Sequence, residues 1–459
     1  MDTPTARAAN LPEGARNTRS DLLGRLVALI SESDSLPVPE LARECATHAL
    51  LDWTCVALAG MSEPAVQILL QVHAVQLPGA GKLPPFDLQQ GMLSALISGT
   101  AGHALDYDDV NSRMHGHPSV PVIPAALAAA RSAQATGREL LDAIVVGHEV
   151  EALIGEQYGG AHYRTGFHAT GTIGTFGAAA AAARLLRLNP QQTRNALGLA
   201  AAQAAGLKSM FGTMTKPLHA GKAAMNGLLS ARLALVGFTA DEDAIEGIQG
   251  FVETQCQGTR DEPLVTDRWA IQDTLYKYHA SCYLTHSSIE ALKAIRRDTP
   301  LSPEAIAHID IHVAPGHDRV CNIPEPATGL EIKFSLRHLA AMVIHGMDTA
   351  DLGIYTDANA TEAGLVHLRE RVRVHFKTLD SQKGSRVIVT DRSGIAHERY
   401  VDVGIPNDDL RMQWQSLQSK GRAITRQSLA PHQFEALAGL IASLGQQTDL
   451  LSLYEAITL

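Results

Sequence analysis

The chain has 459 residues, 45% of them hydrophobic and 19% charged, with a formal net charge of −10. It carries no basic run and no basic–aromatic interleaving, which excludes a nucleic-acid footprint. Its longest apolar runs, such as 177–183, fall far short of the ~20 residues a membrane span needs. Five cysteines (Cys45, Cys55, Cys256, Cys282, Cys321) are scattered without a CxxC pair, so neither a zinc knuckle nor a disulfide framework is indicated. The polar N-terminus lacks the apolar core of a signal peptide. Composition therefore points to a soluble, cytoplasmic protein with free thiols.

Residues 1–18 read as disordered. Leu22, Leu23, Leu26 and Leu29 recur at helical spacing. Pro39 opens a helix that runs to Gly60, with Asp52 in its middle, and Pro64 opens another that runs to about Val75. Residues 78–86 are rich in Gly and Pro and read as a loop. Gly91–Ala104 is helical. After a polar insert, Ile123–Thr136 and Arg138–Glu151 follow as helices. The Gly-rich joint Gly166–Gly174 leads into an alanine-rich helix, Thr175–Leu188, and Gln191–Ala205 comes next. Pro217 starts a helix that reaches Val236.

The period then changes. Ile309, Ile311 and Val313 alternate with polar residues, as do Val372, Val374 and Phe376. Ser385–Thr390 and Glu398–Val403 read as further strands, joined by the turn Asp391–Gly394. The helices Thr285–Ile295 and Phe334–Met347 interrupt this set. After Pro406 the chain is helical again (Asp408–Lys420, Pro431–Ser443, Asp449–Ile457). The expected fold is mostly α with an α+β second domain. A helical body (19–268) is followed by an α+β lid domain (269–405), and C-terminal helices (406–459) rejoin the body.

The chemistry concentrates in His103–Ser119, where Asp106, Asp108, Asp109, His115 and His117 fall close together between two apolar helices. Loops of this kind carry function more often than helix faces do. His168, Lys216, His219, Lys277 and Cys282 lie at other helix starts or turns. Imidazoles that titrate near neutrality suit proton transfer, and two lysines beside helix N-termini suit anions. The combination fits a small polycarboxylate. The bland alternatives are helix caps, core histidines bonded to backbone, and a buried structural thiol. The Asp and His set also offers ligands for a divalent metal.

Five motifs in order resemble the MmgE/PrpD family: Leu105-Asp-Tyr-Asp-Asp109 with His117-Pro-Ser119; Gly166-Phe-His168; Thr215-Lys-Pro-Leu-His-Ala-Gly221; Lys277-x4-Cys282-x3-His286; and Lys333-Phe-Ser335. That family includes 2-methylcitrate dehydratase, cis-aconitate decarboxylase and iminodisuccinate epimerase. The resemblance spans about residues 38–410. It implies a homodimer with a cofactor-free, metal-free site between body and lid. By the same resemblance, Asp106, His117, His168, Lys216 and Lys277 fall on decarboxylase active-site positions. Cys282, a thiol near Lys277 and His279 in the sequence, is a further catalytic candidate, and Lys216, His219, Lys277, His115 and Lys333 are the substrate-binding candidates. Three features differ from the decarboxylase pattern: Val110 replaces a Thr, Cys282 replaces a His, and one extra residue separates Asp109 from His117. The expected activity is a lyase acting on a di- or tricarboxylate. The alternatives are an epimerase with two opposed bases and a non-catalytic anion-binding protein.

Overall fold

The computed structural model describes residues 22–31, 37–77, 79, 81–87, 89–258 and 268–458. The stretch 1–18 lies outside the described residues.

Eleven helices precede residue 258 among the described residues. They are α1 (Leu22–Ser31), α2 (Glu40–Gly60), α3 (Pro64–Val72), α4 (Gly91–Ala104), α5 (Ser119–Ala133), α6 (Gly137–Ile154), α7 (Gly160–Thr165), α8 (Ala169–Leu185), α9 (Pro190–Gln203), α10 (Thr215–Leu235) and α11 (Phe251–Gln255). Helix α8 lies at the centre, and of its seventeen residues only Arg184 is not buried. Its alanines and glycines let neighbouring helices approach closely. A side chain at Gly227 of α10 would collide with Ala178 of α8, and one at Gly221 would sit 2.1 Å from the Leu96 carbonyl oxygen of α4. The low aromatic content is thus expressed as tight helix spacing.

Two helices begin earlier than their sequence suggests. Helix α5 starts at Ser119, before Pro121, because a proline in the first turn gives up an N–H that has no partner there anyway. Helix α8 starts at Ala169, so most of the expected Gly-rich joint is helical. Its glycines serve packing: a Cβ at Gly171 would lie 2.9 Å from both the Ala205 oxygen and the His219 Cβ, and one at Gly174 would strike Pro121.

The second part holds α12 (His286–Asp298), β1 (Ile306–Val313), α13 (Gly329–Ile332), α14 (Leu336–Ile344), α15 (Asp357–Ala360), α16 (Ala363–Arg369), β2 (Val372–Phe376), β3 (Gly384–Asp391) and β4 (Ala396–Asp402). The sheet order is β2-β1-β3-β4, with β1 parallel to β2 and the other pairs antiparallel. Four helices fill the crossover from β1 to β2, as a parallel pair requires. Ile309, Ile311, Val313, Val387 and Val389 point to the helix-covered face, while His308, Asp310 and His312 alternate to the other. The fold is a helical body plus an α+β domain.

Two hydrophobic cores result. One joins α1–α6 and α8–α11 to residues of α17 (Leu410–Thr425), α18 (Pro431–Ala442) and α19 (Leu451–Thr458), and the other runs from Cys282 to Val389. Among the described residues no single helix is long and apolar enough to cross a membrane.

Candidate active site

The stretch after α4 makes a tight turn. Leu105 caps the helix, and Asp106 takes a left-handed conformation with φ 51°. Such a φ is uncommon for a residue with a side chain, and Asp tolerates it better than most. The turn aims successive carboxylates in different directions. The Asp106 carboxylate, partly exposed, accepts a 2.7 Å bond from Lys216 Nζ and lies 3.2 Å from Lys277 Nζ. Lys277 also donates to the Asp106 carbonyl oxygen at 2.6 Å. Burial alone would raise the Asp106 carboxyl. The two ammonium groups outweigh it and hold the group well below the usual carboxylate range.

Asp108 turns inward. His103 Nδ1, on the last turn of α4, donates to it at 2.8 Å, and His117 Nδ1 lies 3.0 Å away. Burial opposes ionisation here too, and the two imidazoles overcome it. His117 Nε2 reaches to 3.9 Å from Asp106, so this ring meets both carboxylates. The His103 and His117 rings meet edge to face with centroids 4.5 Å apart, and His168 stacks on His103 at 5.8 Å. His168 Nδ1 is 3.1 Å from His219 Nδ1, and Phe211 packs edge-on against the His168 ring. Burial pushes His103 down to about 4 and His168 well below its ordinary value, aided for His168 by His103 and Lys216. Burial thus favours the uncharged form of both rings.

Elsewhere the expected residues separate. Asp109 points into the helical core, accepting from Ser119 Oγ at 2.6 Å, and burial raises its carboxyl to about 8. His115 is exposed on the loop, with φ 58° and its ring 6.5 Å from that of Tyr163. Lys333 sits in the α+β domain with its ammonium 5.3 Å from the Tyr355 ring centroid. Burial lowers its pKa, while Asp106 and Glu63 oppose that shift. Lys333, Leu105 and Tyr355 line a cleft of 1440 Å³ between the two cores. Cys282 is buried against the second core, and its backbone N–H donates to the Lys333 carbonyl. A hydrogen bond with Cys321 and the nearby Lys277 lower its thiol pKa despite burial.

His103 belongs to the cluster although its sequence position hides it. It looks like one more residue of an apolar helix, and the available signal was its spacing of five from Asp108. His103, Asp106, Asp108 and His117 each offer a ligand atom within 4.8 Å of the others. The charge around them argues against a divalent cation. Asp106 already faces two ammonium groups, Asp108 already faces two imidazoles, and a third cation would repel the lysines. What the arrangement offers is a cationic rim (Lys216, Lys277, Lys333) beside a nest of mostly neutral imidazoles, which suits binding a polyanion and moving a proton.

Fold and site together define a two-core protein whose polar centre sits at the junction of a helical body and an α+β domain. The MmgE/PrpD N-terminal domain family matches residues 24–263, and the MmgE/PrpD C-terminal domain family matches residues 279–446. The chain belongs to the MmgE/PrpD family. Relatives include a cis-aconitate decarboxylase of Aspergillus terreus, 27% identical over 71% of this chain and 72% of that protein. A cis-aconitate decarboxylase-like protein, oryM, of Aspergillus oryzae is 26% identical over 89% and 91%. The human cis-aconitate decarboxylase is 29% identical over 58% and 56%.

Proposed function

We propose that the protein is a lyase that decarboxylates a small unsaturated tricarboxylate of the cis-aconitate kind, acting as a cytoplasmic homodimer without a cofactor. The observation that carries this reading is the Asp106 carboxylate held by Lys216 and Lys277 beside His117 and His168. The names of the relatives support the same class. In this reading the body, residues 19–268 with 406–459, supplies Asp106, the imidazoles and Lys216. The α+β domain, residues 269–405, closes over them with Lys277 and Lys333.

The chemistry follows from the charges. Substrate carboxylates displace part of the Asp106 carboxylate from the lysines and bind there. The bond from an allylic carbon to its carboxylate breaks and carbon dioxide leaves. The electron pair passes through the carbon–carbon double bond to the carbon next to a second carboxylate. The resulting enediolate-like charge is stabilised by Lys216 and Lys277, already oriented and shielded from bulk water. His117, which meets both carboxylates of the loop, delivers a proton to that carbon, and a solvent proton passed by way of His219 and His168 restores it. Asp108 fixes the tautomers of His103 and His117. His115 is proposed as a rim contact for the substrate. Cys282 sits where a decarboxylase has a histidine and is proposed to shape the pocket wall.

Proton NMR of cis-aconitate, citrate and 2-methylcitrate incubated with the protein in deuterium oxide tests this. A new terminal CH2= pair with one deuterium incorporated and carbon dioxide released is expected from cis-aconitate. New olefinic signals from citrate or 2-methylcitrate would replace decarboxylation with dehydration. Deuterium entering an unchanged hydroxy-acid skeleton would move the reading to an epimerase. Binding with no turnover of any substrate would make it an anion-binding protein.

A further inference from the structure

Two consecutive peptide carbonyls of the catalytic turn are held by buried ammonium groups. Lys277 holds the Asp106 carbonyl, as described above. The other is the Tyr107 carbonyl, which accepts a 2.7 Å bond from Lys420 Nζ. Lys420 comes from α17, more than three hundred residues further along the chain, and it is buried. The same ammonium donates to Asp52 Oδ1 of α2 at 2.6 Å and lies 4.4 Å from the Tyr107 ring centroid. Helix α17 comes this close to α2 because its next residue is glycine: a Cβ at Gly421 would sit 2.6 Å from Phe434 and 2.9 Å from the Cys55 sulfur. Gln413 on the same helix bonds His48 of α2 at 2.9 Å. Tyr107 is fully buried, and its hydroxyl donates to the Ala350 carbonyl of the α+β domain at 3.4 Å.

We propose that Lys420 is a positioning residue for the reaction: by fixing the Tyr107 peptide against Asp52, it sets the direction in which Asp106 and Asp108 point. The inference rests on the functional reading above for its kinetic consequence, although the contacts themselves do not. A buried ion pair of this kind costs desolvation and is weak evidence for a purely stabilising role. What distinguishes this pair is its third partner. Asp52 could be satisfied without the turn, yet Lys420 shares its charge with a carbonyl flanked on each side by a functional carboxylate. Asp106 is also held in a left-handed conformation that its surroundings must enforce.

The test compares wild-type protein with Lys420→Met, Asp52→Asn and the double variant Asp52→Asn/Lys420→Met. Three readouts are taken: thermal melting, kcat and KM with cis-aconitate as probe, and the low-field imidazole N–H proton signals of His103 and His117 that report contact with Asp108. Lys420→Met leaves Asp52 as an unpaired buried carboxylate and is expected to melt lower. The double variant removes that charge and is expected to recover most of the melting temperature. If the turn has swung by about 1 Å, kcat falls about 100-fold in both variants that lack Lys420, KM moves less than about threefold, and both imidazole signals shift. Asp52→Asn alone keeps the Lys420 bond to Tyr107 and is expected to stay within about threefold of wild-type kcat. Recovery of kcat together with stability in the double variant would overturn the proposal and leave Lys420 as a neutraliser of Asp52. Unmoved imidazole signals in a folded variant lacking Lys420 would overturn it too. If the wild type turns over no cis-aconitate, the functional reading fails, and the imidazole signals alone decide whether Lys420 positions the turn.

Discussion

At the scale of single residues, the site depends on which charges are stable where. Lys216 bonds Asp106 and approaches the Phe211 ring at 5.6 Å. Lys216→Ala is expected to lower kcat/KM by at least about 100-fold, the scale of losing a preorganised charge partner, with a melting temperature within a few degrees of wild type. Steady-state rates and a melting curve check both halves, and an equal loss of stability would show the lysine to be structural. The buried titratable groups also set the pH profile of stability. Burial holds His48, His103 and His162 at about 4 and His148 at about 3. Unfolded histidine titrates near 6.5, so over this window the unfolded chain binds more protons, and stability falls as pH drops from about 6.5 toward 4. Asp109, at about 8, and Glu151, raised by burial and by Asp109, have the opposite sign. They hold protons in the fold that the unfolded chain releases, so their contribution is lost as pH rises from about 4 to 8. Melting temperature should peak near pH 6.5 and decline toward pH 8, and Asp109→Asn should flatten that decline. A melting temperature independent of pH between 6.5 and 8 would contradict the assignment.

The elements show how much was readable in the chain. Among the described residues, hydrophobic period located nine of the eleven helices before residue 258, missing there only the short α7 and α11, and all four strands. Alternation was clean where one sheet face is covered and the other is not, as in Ile309–Val313. Boundaries failed where glycine and proline served another purpose. Gly171 and Gly174 look like loop punctuation, yet they are helical residues chosen for close approach. Pro121 looks like a helix start but lies inside the first turn. The same packing yields a prediction at this scale. Gly221 of α10 fits between the Leu96 carbonyl oxygen and Thr100 of α4, five residues after Lys216. Gly221→Ala should push the two helices apart, destabilise the protein by about 1–3 kcal/mol and displace Lys216 from Asp106. Denaturant melts and turnover of the folded fraction measure the two effects separately. An unchanged KM and kcat in the folded fraction would show that the shift does not reach the first turn of α10.

At the scale of the whole molecule, the site is assembled from segments that are remote in sequence. Lys216 is 110 residues from Asp106 and Lys277 is 171 away, while the Lys420–Asp52 pair spans 368. Residue types and local spacing marked most of these positions as chemical. Nothing in local spacing could pair Asp52 with Lys420, because that contact exists only once α17 has returned to α2. Other remote segments also meet at the turn, where Leu275 pairs with Val110 and Lys383 of the α+β domain donates to Ser112. A polyanion bound at the shared site should therefore stabilise both parts. Citrate at about 100 times its Kd adds ~2.7 kcal/mol to a protein that binds it only when folded. The melting temperature of wild type should rise, and that of Lys216→Ala should rise much less. Equal rises would place the anion elsewhere. A chelator should leave turnover unchanged, because the lysines already occupy the charge a cation would need.

The Asp106 carboxylate that bridges Lys216 and Lys277 has one more consequence. In the proposed reading it is a tethered competitor for the same cations that a substrate would claim, acting at the high effective concentration of an intramolecular partner. On that reading an arriving anion would find the lysines partly engaged, and a departing product would be replaced from within. The protein would exchange tightness of capture for ease of release, and one of its own side chains would limit its affinity for a carboxylate.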